Sequence, residues 1–282
     1  MEIRDFLLWA HMATGASPAM ARRVLTGLGH QMPVELSTIV HCTPEKQKAQ
    51  VTAWLDDARN QAQMARLIAT PHLVYTDDDY PARLQEISQP PLVLFYAGKL
   101  DLLRRPCLGV VGARLATEYS NQAIVQAISQ VPRDTVIVSG LARGADTMAH
   151  SVAIGSRRST VAVIASGLDV YYPREHQDLQ DEIAATGLLV SEYPPGTKPK
   201  PYRFVARNRI IAGLSHAVFV TEAAEKSGSL ITAKMALETG RDVYALPNRM
   251  HNPLGIGTNK MIADGAIPVL PDTNWTNIHY FD

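Results

Sequence analysis

The sequence predicts an α/β fold in which a doubly wound, mainly parallel sheet follows a small all-helical unit. Three observations carry this. From Cys107 onward, short continuous apolar runs alternate with amphipathic segments. Most of these runs end in a loop containing glycine or small polar residues. The first 70 residues show helical patterning and no strand-like run. Continuous rather than alternating apolar strands, separated by helices, mark strands covered on both faces, as crossover connections require.

The helical unit is expected over residues 1–71. Phe6, Leu7 and Leu8 lead a first helix. In "ASPAMARRVLTGLG", Ser17 reads as an N-cap with Pro18 at the first helical position, and Gly27 or Gly29 near the end. A third helix is expected from Pro44 to Ala69. Prolines, an acidic turn and the apolar run "LVLFYAG" then set a boundary near residue 72. The core strands are expected at "CLGVV", "TVIVS" (135–139), "TVAVIA" (160–165), "LLVSE" (188–192), "AVFVT" (217–221) and "DVYAL" (242–246). Such sheets bind ligands beyond the carboxyl ends of their strands.

Bulk composition narrows the function classes. The chain has 282 residues with 27 basic and 27 acidic side chains, so a polyanion site has to come from local clustering. Cys42 and Cys107 form no CxxC pair, and no His cluster has metal-ligand spacing, so both thiols read as reduced packing residues and no metal is expected. No signal peptide and no run of eighteen apolar residues appears, which makes a cytoplasmic protein away from membranes the expectation.

Every candidate functional loop follows a strand. "GVVGAR" fails the dinucleotide fingerprint, since Gly109 and Gly112 stand GxxG with Arg114 after them, and no GxxxxGK[ST] is present. No nucleotide cofactor is expected. What remains is a glycine turn whose amides and guanidinium could grip a phosphate, the guanidinium fork matching phosphate oxygens. "SGLARGADTMAH" brings Ser139, Gly140, Arg143, Gly144 and Asp146 to a second turn, with His150 read as a buried or partner-facing histidine rather than a metal ligand. "SGLDVYYPREH" adds Gly167 and Arg174. "PPGTKPKPYRFVARNRIIAGLS" carries Lys198, Lys200, Arg203, Arg207 and Arg209, with no acidic residue between Tyr193 and Thr221. Tyr202 and Phe204 interleave with these charges, the composition of a surface that follows a phosphate backbone and stacks bases. Finally Ser227, Gly228 and Ser229 open a helix as an anion nest.

In order, "VGAR", "SGLARGADTMAH", "GLDVYYP", "FVARNRIIAGLS", "SGSLITAKMALETGRDVYALPN" and "GTNKMIADGA" resemble the DprA/Smf family of DNA-processing proteins over about residues 76–270. The resemblance implies an extended Rossmann-like core that binds single-stranded DNA without catalysis, forms a homodimer and helps load the RecA recombinase in natural transformation. It also implies that the first helices are a SAM-like domain. The family's phosphate-gripping arginine falls on Arg114, and its glycine-rich second loop on Ser139, Gly140, Gly144 and Asp146. Its aromatic and basic block falls on Phe204, Arg207, Asn208 and Arg209. The chain departs from the family in reading GAR for GSR, Val205 for a common proline, PN for PG, and Pro201 where some members carry a DNA-contacting lysine. Lys200 or Arg203 is expected to take over that contact. The winged helix that some members carry at their C-terminus is not expected after residue 282.

The enzymatic alternative is a related Rossmann-like group that hydrolyses nucleoside monophosphates through a PGGxGTxxE loop. Here the equivalent turn places Met235 where that glutamate belongs, leaving Glu222 as the one substitute acid, so no enzyme activity is expected. Dimerisation is expected through 257–270, with Met261 and Ile262 supplying apolar contact.

Overall fold

The computed structural model describes residues 1–30 and 32–275. Its centre is one sheet of nine strands: β1 (His72–Val74), β2 (Val93–Gly98), β3 (Cys107–Val111), β4 (Val136–Ser139), β5 (Thr160–Ile164), β6 (Leu188–Ser191), β7 (Ala217–Val220), β8 (Asp242–Ala245) and β9 (Ile267–Pro268). The spatial order is β1-β2-β6-β5-β4-β3-β7-β8-β9. From β6 across to β9 every pairing is parallel, while β2 runs antiparallel to both β1 and β6. The six core strands fall within a residue or two of the apolar runs. The antiparallel edge differs from a purely parallel sheet because a turn and a short helix, rather than a long crossover, join its two strands.

Period-two alternation explains how the sheet is covered on both sides. Cys107, Val111, Val136, Val138, Val161, Val163, Val218 and Val220 point to one face. There they meet α6 (Ala82–Gln85), α10 (Pro201–Leu214) and α11 (Gly228–Glu238). Leu108, Val110, Ile137, Ala217 and Phe219 point to the other face, against α7 (Glu118–Gln130) and α8 (Ala145–Gly155). Also outside the strands lie α9 (Gln177–Thr186) and α12 (Ile256–Ala263).

The amino-terminal part holds five helices rather than three: α1 (Ile3–Ala13), α2 (Pro18–Gly29), α3 (Leu36–Cys42), α4 (Glu45–Asp56) and α5 (Ala58–Ile68). The segment expected as one helix from residue 44 to 69 breaks at Asp57. That residue is extended, and its carboxylate accepts the Arg59 amide at 2.8 Å, so it caps a new helix instead of continuing the old one. Phe6, Leu7, Ile39, Met64 and Leu67 share an apolar cluster with Val93 and Phe95 of β2, so the helices pack against the sheet edge.

His150 on α8 is fully buried. Thr160 Oγ1 donates to the Ile137 carbonyl at 2.8 Å and accepts from His150 Nδ1 at 2.7 Å, and Nε2 has no partner among the described residues. Burial, with the nearby Arg207 and His176 charges, lowers its pKa to about 3. Only the unfolded chain binds a proton there between about pH 6.5 and 3, so stability falls as pH falls through that window. Between pH 6.5 and 5.0 this group removes about 2 kcal/mol of stability. Urea unfolding at the two pH values should show that loss in the native chain and its absence in His150→Gln.

Candidate nucleic-acid interface

The order of the strands locates the site. From β3 the chain steps through β4, β5 and β6 in one direction, and then returns to place β7 and β8 on the other side of β3. The loops after β3 and β7 therefore diverge to opposite faces, which opens a crevice at the carboxyl ends of these neighbouring strands. A cleft of about 430 Å³ lies there. Gly112 and Arg114 line it from the β3 turn, Phe204, Arg207 and Asn208 from α10, and Ser227, Gly228 and Ser229 from the start of α11.

Basic groups in two different states face this cleft. Arg114 is exposed, without a hydrogen-bond partner among the described residues, and its guanidinium carbon lies over the Phe204 ring at 5.7 Å. Phe204 in turn packs against Tyr172, with centroids 5.3 Å apart. Arg207 is buried. Its Nη1 donates to the Val163 carbonyl at 2.8 Å, Asp146 lies 4.0 Å away, and Nε has no partner among the described residues. Burial lowers the Arg207 pKa and raises that of Asp146, each offset in part by the other's charge.

Backbone shape holds these groups in place. A Cβ on Gly140 would sit 1.3 Å from Arg207 Nη1, so the guanidinium rests directly on the glycine backbone. Gly144 has φ of +74°, and a side chain there would press on the Ala113 and Arg114 carbonyls at 2.3 and 2.6 Å. The second loop can therefore support the Arg114 turn only with glycine at this position. At α11, Ser227 caps the helix and its Oγ lies 2.6 Å from Ser229 Oγ. The positive end of this helix dipole favours an anion.

Several expected residues lie elsewhere. Arg209 is a correction: its side chain is buried away from the cleft, with Nη2 and Nη1 donating to Glu192 at 2.6 and 3.0 Å and Nε to the Gln89 carbonyl at 2.8 Å. Ser139 is likewise buried, its hydroxyl donating to the Val110 carbonyl at 2.6 Å, which ties β4 to β3. Gly167 serves a turn, its amide donating to the Thr197 carbonyl at 2.9 Å. Arg203 lies over the Tyr193 and Tyr202 rings at 4.7 and 5.6 Å and donates to the Lys198 carbonyl, which folds the loop before α10. Lys198, Lys200 and Arg174 are exposed outside the cleft. Arg143 pairs with Glu175 at 2.6 Å in a neighbouring lobe that shares Arg114, Phe204 and Tyr172.

Sequence reasoning missed Tyr172 as a lining residue, although the aromatic pair before Pro173 was its signal. Glu222 does not line the arginine cleft. Its Oε2 accepts from the Thr117 amide, Thr117 Oγ1 and Ser120 Oγ at 2.7, 2.9 and 2.8 Å. Among the described residues no cluster has the makings of a metal site, and no helix is long and apolar enough to cross a membrane. Met261 packs inward against the main core, and Ile262 is half-buried.

The family model described as DNA recombination-mediator protein A matches residues 71–278. DNA processing protein DprA of Streptococcus pneumoniae is 44% identical over 212 residues, 75% of this chain and 74% of that protein. Protein Smf of Escherichia coli is 41% identical over 201 residues, 70% of this chain and 54% of that protein. The X-ray structure of DprA from Streptococcus pneumoniae is similar with a TM-score of 0.89 and 36% identity, covering 100% of this chain and 99% of that one. DNA processing protein A from Helicobacter pylori, solved to explain its single-stranded DNA binding mode, gives a TM-score of 0.63 at 31% identity, covering 75% of this chain and 94% of that one.

Proposed function

Since the chain belongs to the DNA recombination-mediator protein A family, the DprA/Smf proteins, we propose that it binds single-stranded DNA in the arginine cleft and acts without catalysis. The observation that carries this reading is the buried Arg207 with an unpartnered Nε, set beside the exposed Arg114 over Phe204 at the sheet's switch point. Two guanidinium groups, an aromatic face and the start of a helix suit a phosphate chain with unstacked bases. Asp146 supports this as the counter-charge that keeps Arg207 buried. In this reading the protein is a cytoplasmic homodimer that protects incoming strands and passes them to the RecA recombinase in natural transformation. The dimer uses the exposed Ile267 and Leu270 with Ile262.

A titration of labelled single-stranded and duplex oligonucleotides of equal length, with light scattering on the same samples, tests this. Single strands should bind at least tenfold more tightly than duplex, because duplex bases are already stacked and its backbone is stiff. The mass should be that of a dimer, and Ile262→Glu should reduce it to that of a monomer. Equal affinity for the two DNA forms would overturn the cleft reading.

A further inference from the structure

A second, larger cleft of about 930 Å³ lies on the other side of the turn between β3 and α7. Gly112 and Arg114 of that turn line the arginine cleft, while Thr117 lines this one, together with Tyr119, Glu222, Asn248 and Arg249. Glu222 is fully buried, and three donors from Thr117 and Ser120 occupy its Oε2 while Oε1 has no partner among the described residues. A buried carboxylate oxygen left unpaired is costly, unless a ligand supplies the missing donor.

Another residue lining the same cleft offers the complementary group. Asn248 Oδ1 accepts from the Arg249 amide at 2.8 Å and from Asn252 Nδ2 at 2.9 Å, which fixes the amide orientation and leaves Nδ2 as a buried donor without a partner. Reciprocal bonds with Asn259, at 2.9 and 3.0 Å, hold the Asn248 backbone. At the rim Tyr119 is partly exposed, its hydroxyl donating to the Pro247 carbonyl at 2.7 Å, and Arg249 is exposed.

We infer that this cleft is a nucleobase subsite, in which Glu222 Oε1 accepts the exocyclic amino group of cytosine, adenine or guanine and Asn248 Nδ2 donates to the neighbouring ring acceptor. A free acceptor, a free donor, an aromatic side chain and a rim cation match an amino-bearing base and its phosphate. Glu222 is the one carboxylate among the described lining residues, and a cation would leave the Asn248 donor unmatched. Thymine presents carbonyl oxygens where the amino group should be and is disfavoured. The ligand is either a base of the strand held in the arginine cleft, in which case the inference rests on that reading, or a free nucleotide.

The test compares oligo-dC with oligo-dT of equal length, and free dCMP by calorimetry. Native protein should favour dC about tenfold, the effect of one charge-assisted hydrogen bond. In Glu222→Gln the side-chain oxygen must stay with the Thr117 amide, so the NH2 group takes the free position and the preference should vanish or reverse. Because that carboxyl is buried, Arg249→Ala on the rim is a second probe, expected to weaken dC binding more than dT binding. A dC preference that Glu222→Gln removes supports the subsite on the strand. Binding of dCMP that survives Arg114→Ala and is lost in Glu222→Gln supports a free nucleotide there, even if neither oligonucleotide binds. Equal dC and dT affinities with no dCMP binding, or a preference that folded Glu222→Gln retains, overturns the inference whatever the arginine cleft does.

Discussion

Arg114→Ala is expected to lower affinity for single-stranded DNA by at least tenfold while leaving the fold intact. The side chain is exposed and bonded to no other described group, so its removal leaves no buried atom unsatisfied and only uncovers one face of Phe204. The loss follows from a charge-assisted pair contributing about 1.5–3 kcal/mol. Salt dependence separates this from a packing effect. Each lost single-strand phosphate contact removes about 0.7 from the slope of log K against log salt. Lys200→Ala, outside the cleft, should flatten the slope with a smaller loss. Titrations across a salt series check both numbers, and a folded Arg114→Ala protein with native affinity and slope would remove this residue from the interface.

For Arg209→Ala the expected result is the reverse: a loss of about 3–5 kcal/mol in stability, since one partner of a buried ion pair is removed and the other stays behind. Here Glu192 is the partner left behind, its side chain 2% exposed and its two oxygens both committed to Arg209. His11 Nε2 lies 2.7 Å from the Glu192 carbonyl, so the damage reaches the amino-terminal helices. Urea denaturation measures the loss. The double variant Arg209→Met, Glu192→Leu should recover most of it, because the pair's desolvation cost disappears with the pair. At temperatures where Arg209→Ala remains folded, its DNA affinity should be close to native.

These two arginines show how far the sequence was legible. The parallel strands could be read because each is a continuous β-branched run, and the strand-end loops followed from them. The stretch from Lys198 to Arg209 was read as a single positive strip, which overlooked the helix that begins at Pro201. On a helix, Arg207 and Arg209 stand about 200° apart and cannot face one cleft. The signal was available in Glu192, a charge at the end of an apolar strand that needed a buried partner. The direction of β2 and the break at Asp57 were less accessible, since the first depends on which edge the strand joins and the second on one side-chain cap. The free oxygen of Glu222 has no sequence signature at all, because it depends on how three donors crowd onto the other oxygen.

The contact between Gly140 and Arg207 also limits how this surface can diverge. With 1.3 Å between Nη1 and the place of a Cβ, any side chain at 140 evicts the guanidinium, and an evicted guanidinium leaves Asp146 buried without its counter-charge. Three positions on two separate segments are thus physically coupled. A lineage that replaces Gly140 must also give up the charge at 207 and the acid at 146, so the three should covary across relatives.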